Sequence, residues 1–150
     1  MDLDAIVAYL TRSFDGMDIT EDAGSLFFSY SPNPEVRLDG WQPFATLVVS
    51  DRYDRVSDLD RPGVFRLNVG VSPDTYRTLF GAHAATPATE YDFTTLDRLM
   101  PHPEYAQMSW ICVLSPSEDT FKTVQPLLEE AHKLAVRRYE ARVKRTPKRL

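Results

Sequence analysis

The sequence predicts an α+β domain built on a mostly antiparallel sheet with helices packed against it. Three observations carry this. The 150 residues are 43% hydrophobic and 26% charged, the ordinary balance of one globular unit. The elements read in the order α-β-β-β-β-α-(α)-β-α-α, in which successive strands pair antiparallel. No apolar run approaches the ~20 residues that a membrane span needs.

Leu3, Ile6, Val7, Leu10 and Phe14 fall at the i, i+3, i+4, i+7 spacing that gathers apolar side chains on one helical stripe. Asp2 or Asp4 supplies the N-cap and Gly16 the stop. Met17 to Asp22 alternates weakly and Ser25 to Ser31 strongly in β-forming residues, and Ala23-Gly24 between them predicts a hairpin. Ser31-Pro32-Asn33-Pro34 then forms a loop, because two prolines so spaced suit neither helix nor sheet.

Pro43 to Ser50, led by Phe44, Leu47, Val48 and Val49, reads as a third strand, and Val64 to Val71 as a fourth. In the fourth, Phe65, Leu67, Val69 and Val71 share one face and Arg66 and Asn68 the other, which predicts a half-buried strand. In the loop between them Asp51, Asp54, Asp58 and Asp60 alternate with Arg52, Arg55 and Arg61 before a Pro-Gly turn. Mutual ion pairing on a solvated loop is the simpler account, and a hard-cation site the alternative.

Ser72-Pro73-Asp74 starts a short helix that ends near Phe80 with Gly81 as cap. Residues 82–94 lack a period and are expected to be the most mobile internal segment. Thr95 to Met100 predicts one or two helical turns, stopped by Pro101 and Pro103, and Ser109 to Leu114 a buried strand. Ser115-Pro116-Ser117-Glu118 has the form of a capping box with proline at the first helical position. It opens a helical region carried by Phe121, Val124, Leu127, Leu128, Ala131, Leu134, Ala135 and Tyr139. An interior proline costs ~3 kcal/mol, so a short helix is expected before Pro126 and a longer one from it. The domain is expected to span residues 1–141, with residues 142–150 fraying as a basic tail.

The net charge of −5 hides a split. Residues 1–121 hold eight arginines and 19 carboxylates, a balance of −11, whereas residues 122–150 hold nine basic and three acidic residues, a balance of +6. Phosphate recognition needs a basic face, because each neutralised phosphate contributes by counterion release. A nucleic-acid role is therefore expected only through the segment Arg137 to Arg149, whose cations have the blander task of complementing a helix dipole. Cys112, the single cysteine, lies within Trp110-Ile111-Cys112-Val113-Leu114 and reads as a small buried hydrophobe. The N-terminal residues show no basic, apolar leader, so a cytosolic protein without a membrane partner is expected.

The run from Phe65 to Asp74, then Ser109 to Leu114, then Pro126 to Leu134, resembles the second half of MmcQ/YjbR-like proteins. That resemblance implies a double-wing fold, for which DNA binding is proposed by analogy. The chain departs from the pattern in its acidic body and in Gln107-Met108-Ser109, where that family often places a basic residue or His before the strand tryptophan. Over nearly its whole length the chain also resembles a bacterial family of unknown function and similar size. The segments Ser57 to Asn68 and Leu96 to Pro103 carry that likeness.

His102, held between Pro101 and Pro103, is the first candidate for a site residue, because histidine titrates near neutral pH and serves as acid, base or metal ligand. No His or Cys spacing completes a metal site, with His83 in a loop and His132 on the last helix, and no cofactor is expected. Trp110 and Trp41, with Tyr105 and Phe65, are either core or the lining of an aromatic pocket in which Arg66 and Asn68 orient a ligand. The reading that follows is a binding module rather than an enzyme. Its ligand, a small molecule or a protein, contacts the face bearing Arg66, Asn68, Arg98, His102 and Trp110. The alternatives are a small-molecule enzyme with His102 as acid/base and a DNA-binding protein using the basic tail.

Overall fold

The computed structural model describes residues 1–33, 42–81 and 90–145. The elements run α1 (Leu3–Ser13), β1 (Met17–Asp22), β2 (Ser25–Tyr30), β3 (Ala45–Val48), β4 (Arg66–Gly70), α2 (Pro73–Phe80), β5 (Met100–Pro101), β6 (Trp110–Leu114) and α3 (Glu118–Arg145). Among the described residues the six strands form one sheet in the order β1-β2-β3-β4-β6-β5, every neighbouring pair antiparallel. The class is α+β, as the pattern predicts.

Local chemistry explains most boundaries. Asp2 caps α1, its Oδ1 accepting the Ala5 N–H at 2.8 Å. Asp22 pairs with Ser25 across the first hairpin, leaving a two-residue loop in which Ala23 and Gly24 have φ of 50° and 87°. Two positive φ values match the twist of the flanking strands, and glycine takes the second at no steric cost. Ser72 caps α2 by accepting the Thr75 N–H at 3.1 Å, and the Glu130 carboxylate of α3 accepts from the Ser72 and Thr75 hydroxyls at 3.1 and 2.6 Å.

The main core lies on one sheet face. Ala45, Leu47, Leu67, Val69, Ile111 and Val113 meet Ile6, Leu10 and Phe14 of α1 and Phe121, Val124, Leu128 and Ala131 of α3. The alternate residues face the other way, and there the expectation of a half-buried β4 is corrected: all five β4 residues are buried, Arg66 to 1% exposure. The cause is tertiary. The 51–63 loop and the segment leading to β5 cover this face, and Val48, Leu59, Phe93, Met100, Cys112 and Leu114 form a second, smaller core beneath them.

Three further expectations change. Residues 95–100 are not helical: Asp97 has φ +59°, Leu96 bridges Leu114, and Met100–Pro101 pairs with Cys112 and Ile111. A residue before proline is steered towards extended backbone, and an outermost strand tolerates the missing N–H of Pro101. The cap of α3 is Ser117 rather than Ser115, its Oγ accepting the Thr120 N–H at 3.2 Å. Ser115 has φ +39° and instead pairs with Phe65, its N–H donating to the Phe65 carbonyl at 2.9 Å and its Oγ accepting the Phe65 N–H at 3.2 Å.

Finally, α3 runs unbroken through Pro126 to Arg145. Pro126 and Lys122, whose carbonyl loses its helical donor, are both exposed, so water replaces the missing bond. The buried row Phe121, Val124, Leu128, Ala131 and Ala135 continues across the proline, and its packing outweighs the ~3 kcal/mol cost. Trp41, His83, most of the segment expected to be mobile and residues 146–150 of the tail lie outside the described residues.

Candidate functional site

Thr46 of β3 pairs with Asn68 of β4, which in turn pairs with Cys112 of β6, so one polar row crosses the sheet face away from α3. Its members are linked. Asn68 Nδ2 donates to Thr46 Oγ1 at 2.8 Å, and Arg66 Nε donates to Asn68 Oδ1 at 3.0 Å. The remaining guanidinium edge meets Asp54 from the covering loop: Nη1 donates to Oδ1 at 3.0 Å and Nη2 to Oδ2 at 2.7 Å, while Nη1 also donates to Ser57 Oγ at 2.9 Å. Burial alone pushes the Asp54 carboxyl up, but the hydrogen bonds and charge of Arg66 outweigh it and hold the group below the usual Asp value. This corrects the picture of a solvated loop pairing with itself. Arg61–Asp58 is such a pair, but Asp54 belongs to Arg66 and Arg52 to Asp22.

His102 follows β5, and its N–H extends the ladder by donating to the Trp110 carbonyl at 3.0 Å. The ring is 3% exposed, and its Nδ1 accepts the backbone N–H groups of Glu104 and Tyr105, both at 3.0 Å. With Nδ1 an acceptor, the ring proton resides on Nε2. Burial first, then the charge of Arg66, lowers the imidazole to about 3, against the opposing influence of Asp54. At neutral pH His102 is therefore an uncharged N–H donor rather than a proton acceptor. Among the described residues its Nε2 has no hydrogen-bond partner.

Over this row opens a cavity of about 540 Å³. Thr46, Arg66, Asn68 and His102 form its floor; Phe27 and Tyr53, packed edge to face at 5.8 Å, rise on the β2 side, and Trp110, Tyr105 and Met108 on the β6 side. Gly70, the partner of Trp110 in the ladder, makes room for the indole: a Cβ there would lie 2.9 Å from Trp110 Cε2. A larger and shallower depression of about 870 Å³, between the N-terminus and residues 59–65, is lined by exposed carboxylates such as Asp2, Asp4 and Asp60 without a convergent polar set.

Of the residues singled out from the sequence, Arg66, Asn68, His102, Trp110 and Tyr105 line this one cavity. Arg98 does not; its guanidinium lies over the Tyr91 ring at 5.1 Å. Phe65 belongs to the main core, and Trp41 falls outside the described residues. Thr46, Tyr53 and Phe27, which also line the cavity, and Ser57, which accepts from Arg66, carry no signal in the local pattern. An arginine inside a strand rich in apolar residues signals that a counterion exists, but four aspartates in the loop leave its identity open.

A family model described as a family of unknown function, DUF6194, matches residues 1–144. The chain belongs to that family. No curated protein and no solved structure is significantly similar to it. In this DUF6194 member, no group of three or more His, Cys, Asp or Glu side chains among the described residues is arranged to hold a metal ion, and none of their helices is long and apolar enough to cross a membrane. Cys112 is buried, its thiol pushed up to about 12, first by desolvation, which leaves it no nucleophilic thiolate near neutral pH.

Proposed function

We propose that this DUF6194 member is a non-catalytic module that binds a small molecule in the cavity over β3, β4 and β6. One observation carries the reading: the uncharged ring of His102, fixed by two amides on Nδ1, presents an Nε2–H without a protein partner among the described residues to an aromatic-walled cavity of about 540 Å³. Ligand sites of this size characteristically combine apolar walls with a few convergent polar groups. Among the described residues no fully buried side-chain nitrogen or oxygen lacks a partner, so His102 Nε2–H stands open to the cavity, where a ligand acceptor takes the place of water.

The acid/base alternative is weakened by the two amides donating to Nδ1, since protonation there would break both contacts. DNA binding through the C-terminal segment draws no support from the cavity, whose rim carries Glu104, or from the acidic body. The double-wing architecture, the bacterial origin and the cytosolic location belong to the same reading and rest on the sequence resemblance and composition.

Titrating a diverse fragment set into ¹⁵N-labelled protein tests the proposal. Binding is expected to shift the Trp110 indole N–H and the His102 ring signals together. Fragments that bind only elsewhere, or a set that moves neither signal, would sink it.

A further inference from the structure

The charges around the cavity restrict what it accepts. Among its described lining residues Asp54, Arg66 and Glu104 carry formal charge, and His102 does not. Asp54 occupies two parallel donors of Arg66, so among the described residues an anionic ligand finds no free guanidinium edge, and it meets the exposed Glu104 on a body of balance −11. A cation fares no better at the floor. His102 Nε2–H is a fixed donor because Nδ1 is taken by two amides, and the Asp54 oxygens already accept from Arg66. Thr46 Oγ1 accepts from Asn68 and keeps its own proton to donate. What the floor asks for is an acceptor, and what the walls offer is aromatic surface from Phe27, Tyr53, Tyr105 and Trp110.

We infer that the ligand is an uncharged planar molecule bearing a carbonyl or ring-nitrogen acceptor, seated with that acceptor on His102 Nε2–H and its ring between Tyr53 and Trp110. This rests on the small-molecule reading above and names its chemical class. The volume of about 540 Å³ accommodates one or two fused rings.

The full chain, ¹⁵N-labelled, is titrated with benzamide, benzoate, benzyltrimethylammonium and toluene, followed at the Trp110 indole N–H assigned with W110F. Benzamide is expected to bind at least about tenfold more tightly than the other three, the effect of one hydrogen bond to a neutral acceptor. If benzoate, the ammonium compound or toluene binds as tightly as benzamide, the chemical class is overturned while the cavity stands as a binding site. If none of the four moves Trp110, the small-molecule reading falls with it. His102→Asn supplies the residue-level check, because an Asn Oδ1 can still accept the amides two and three residues on while the cavity donor is withdrawn. Benzamide should weaken about tenfold and toluene not at all; equal loss of both overturns the hydrogen bond. Should that variant not fold, the His102 Nε2 resonance of the wild type reports the same contact, and its failure to move with saturating benzamide overturns it.

Discussion

Arg66 of β4 and Asp54 of the covering loop form a two-pronged ion pair whose side chains are 2% and 7% exposed, in a loop where Asp58 and Asp60 face solvent. This contact fastens the loop over a sheet face that local pattern assigns to water. Removing one partner leaves a buried charge uncompensated, which typically costs ~3–5 kcal/mol. Asp54→Asn is expected to lower the urea midpoint by that order. Replacing both, as Asp54→Leu with Arg66→Met, should cost less than the single change, and a double variant worse than Asp54→Asn would contradict this account. Because the Asp54 carboxyl is held below its ordinary value, its contribution is complete above an unfolded pKa near ~4 and is lost only as pH falls through the lower folded value.

His102 imposes a second pH dependence in a higher window. Its folded value is about 3, whereas an unfolded histidine titrates near ~6.5. Between the two the unfolded chain binds a proton that the folded chain refuses, so stability rises with pH across this range, by up to ~1.4 kcal/mol per unit. From pH 7 to pH 5 the wild type should lose about 2 kcal/mol through this residue. His102→Asn should flatten the change, and comparing the two proteins by urea unfolding cancels what the groups common to both contribute. Parallel pH profiles would mean that His102 is protonated in the fold.

Gly70 and Trp110 predict a packing effect of opposite sign to the usual rule. Alanine normally improves on glycine within a strand, but here its Cβ would meet the indole at 2.9 Å. Gly70→Ala is expected to destabilise by ~1–3 kcal/mol, the range for overpacking. It should also shift the Trp110 indole signal and weaken benzamide binding, because that ring forms a cavity wall. A more stable variant with an unmoved indole would refute the close approach.

The parts of this fold that are legible in the sequence are those whose causes are local. The first hairpin follows from β-formers on either side of Ala23-Gly24, and α2 from Ser72-Pro73 at one end and Gly81 at the other. Burial of Arg66 and Asn68 is not local, since alternation along β4 distinguishes two faces without saying what covers the second. Leu96, Leu99 and Met100 have helical spacing, yet pairing with β6 and the proline after Met100 decide for extended chain. The same division runs through the site. Asn68, His102 and Trp110 stand out as residue types at informative positions, whereas Asp54 and Tyr53 enter from a loop whose path only tertiary contacts define.

Pro126 offers the cleanest separation of local preference from tertiary packing. It sits exposed inside an unbroken α3, where an interior proline forfeits one hydrogen bond and crowds the preceding turn for ~3 kcal/mol. Pro126→Ala restores the N–H opposite the Lys122 carbonyl without touching the buried row of Phe121, Val124 and Leu128. It also frees the unfolded chain, a destabilisation of ~0.4–1 kcal/mol. The net expectation is a gain of about 2–2.5 kcal/mol, read as a higher urea midpoint with an unchanged m-value. A loss would show instead that the helix is bent at Pro126 to fit the sheet, and that the proline holds the curvature its packing requires.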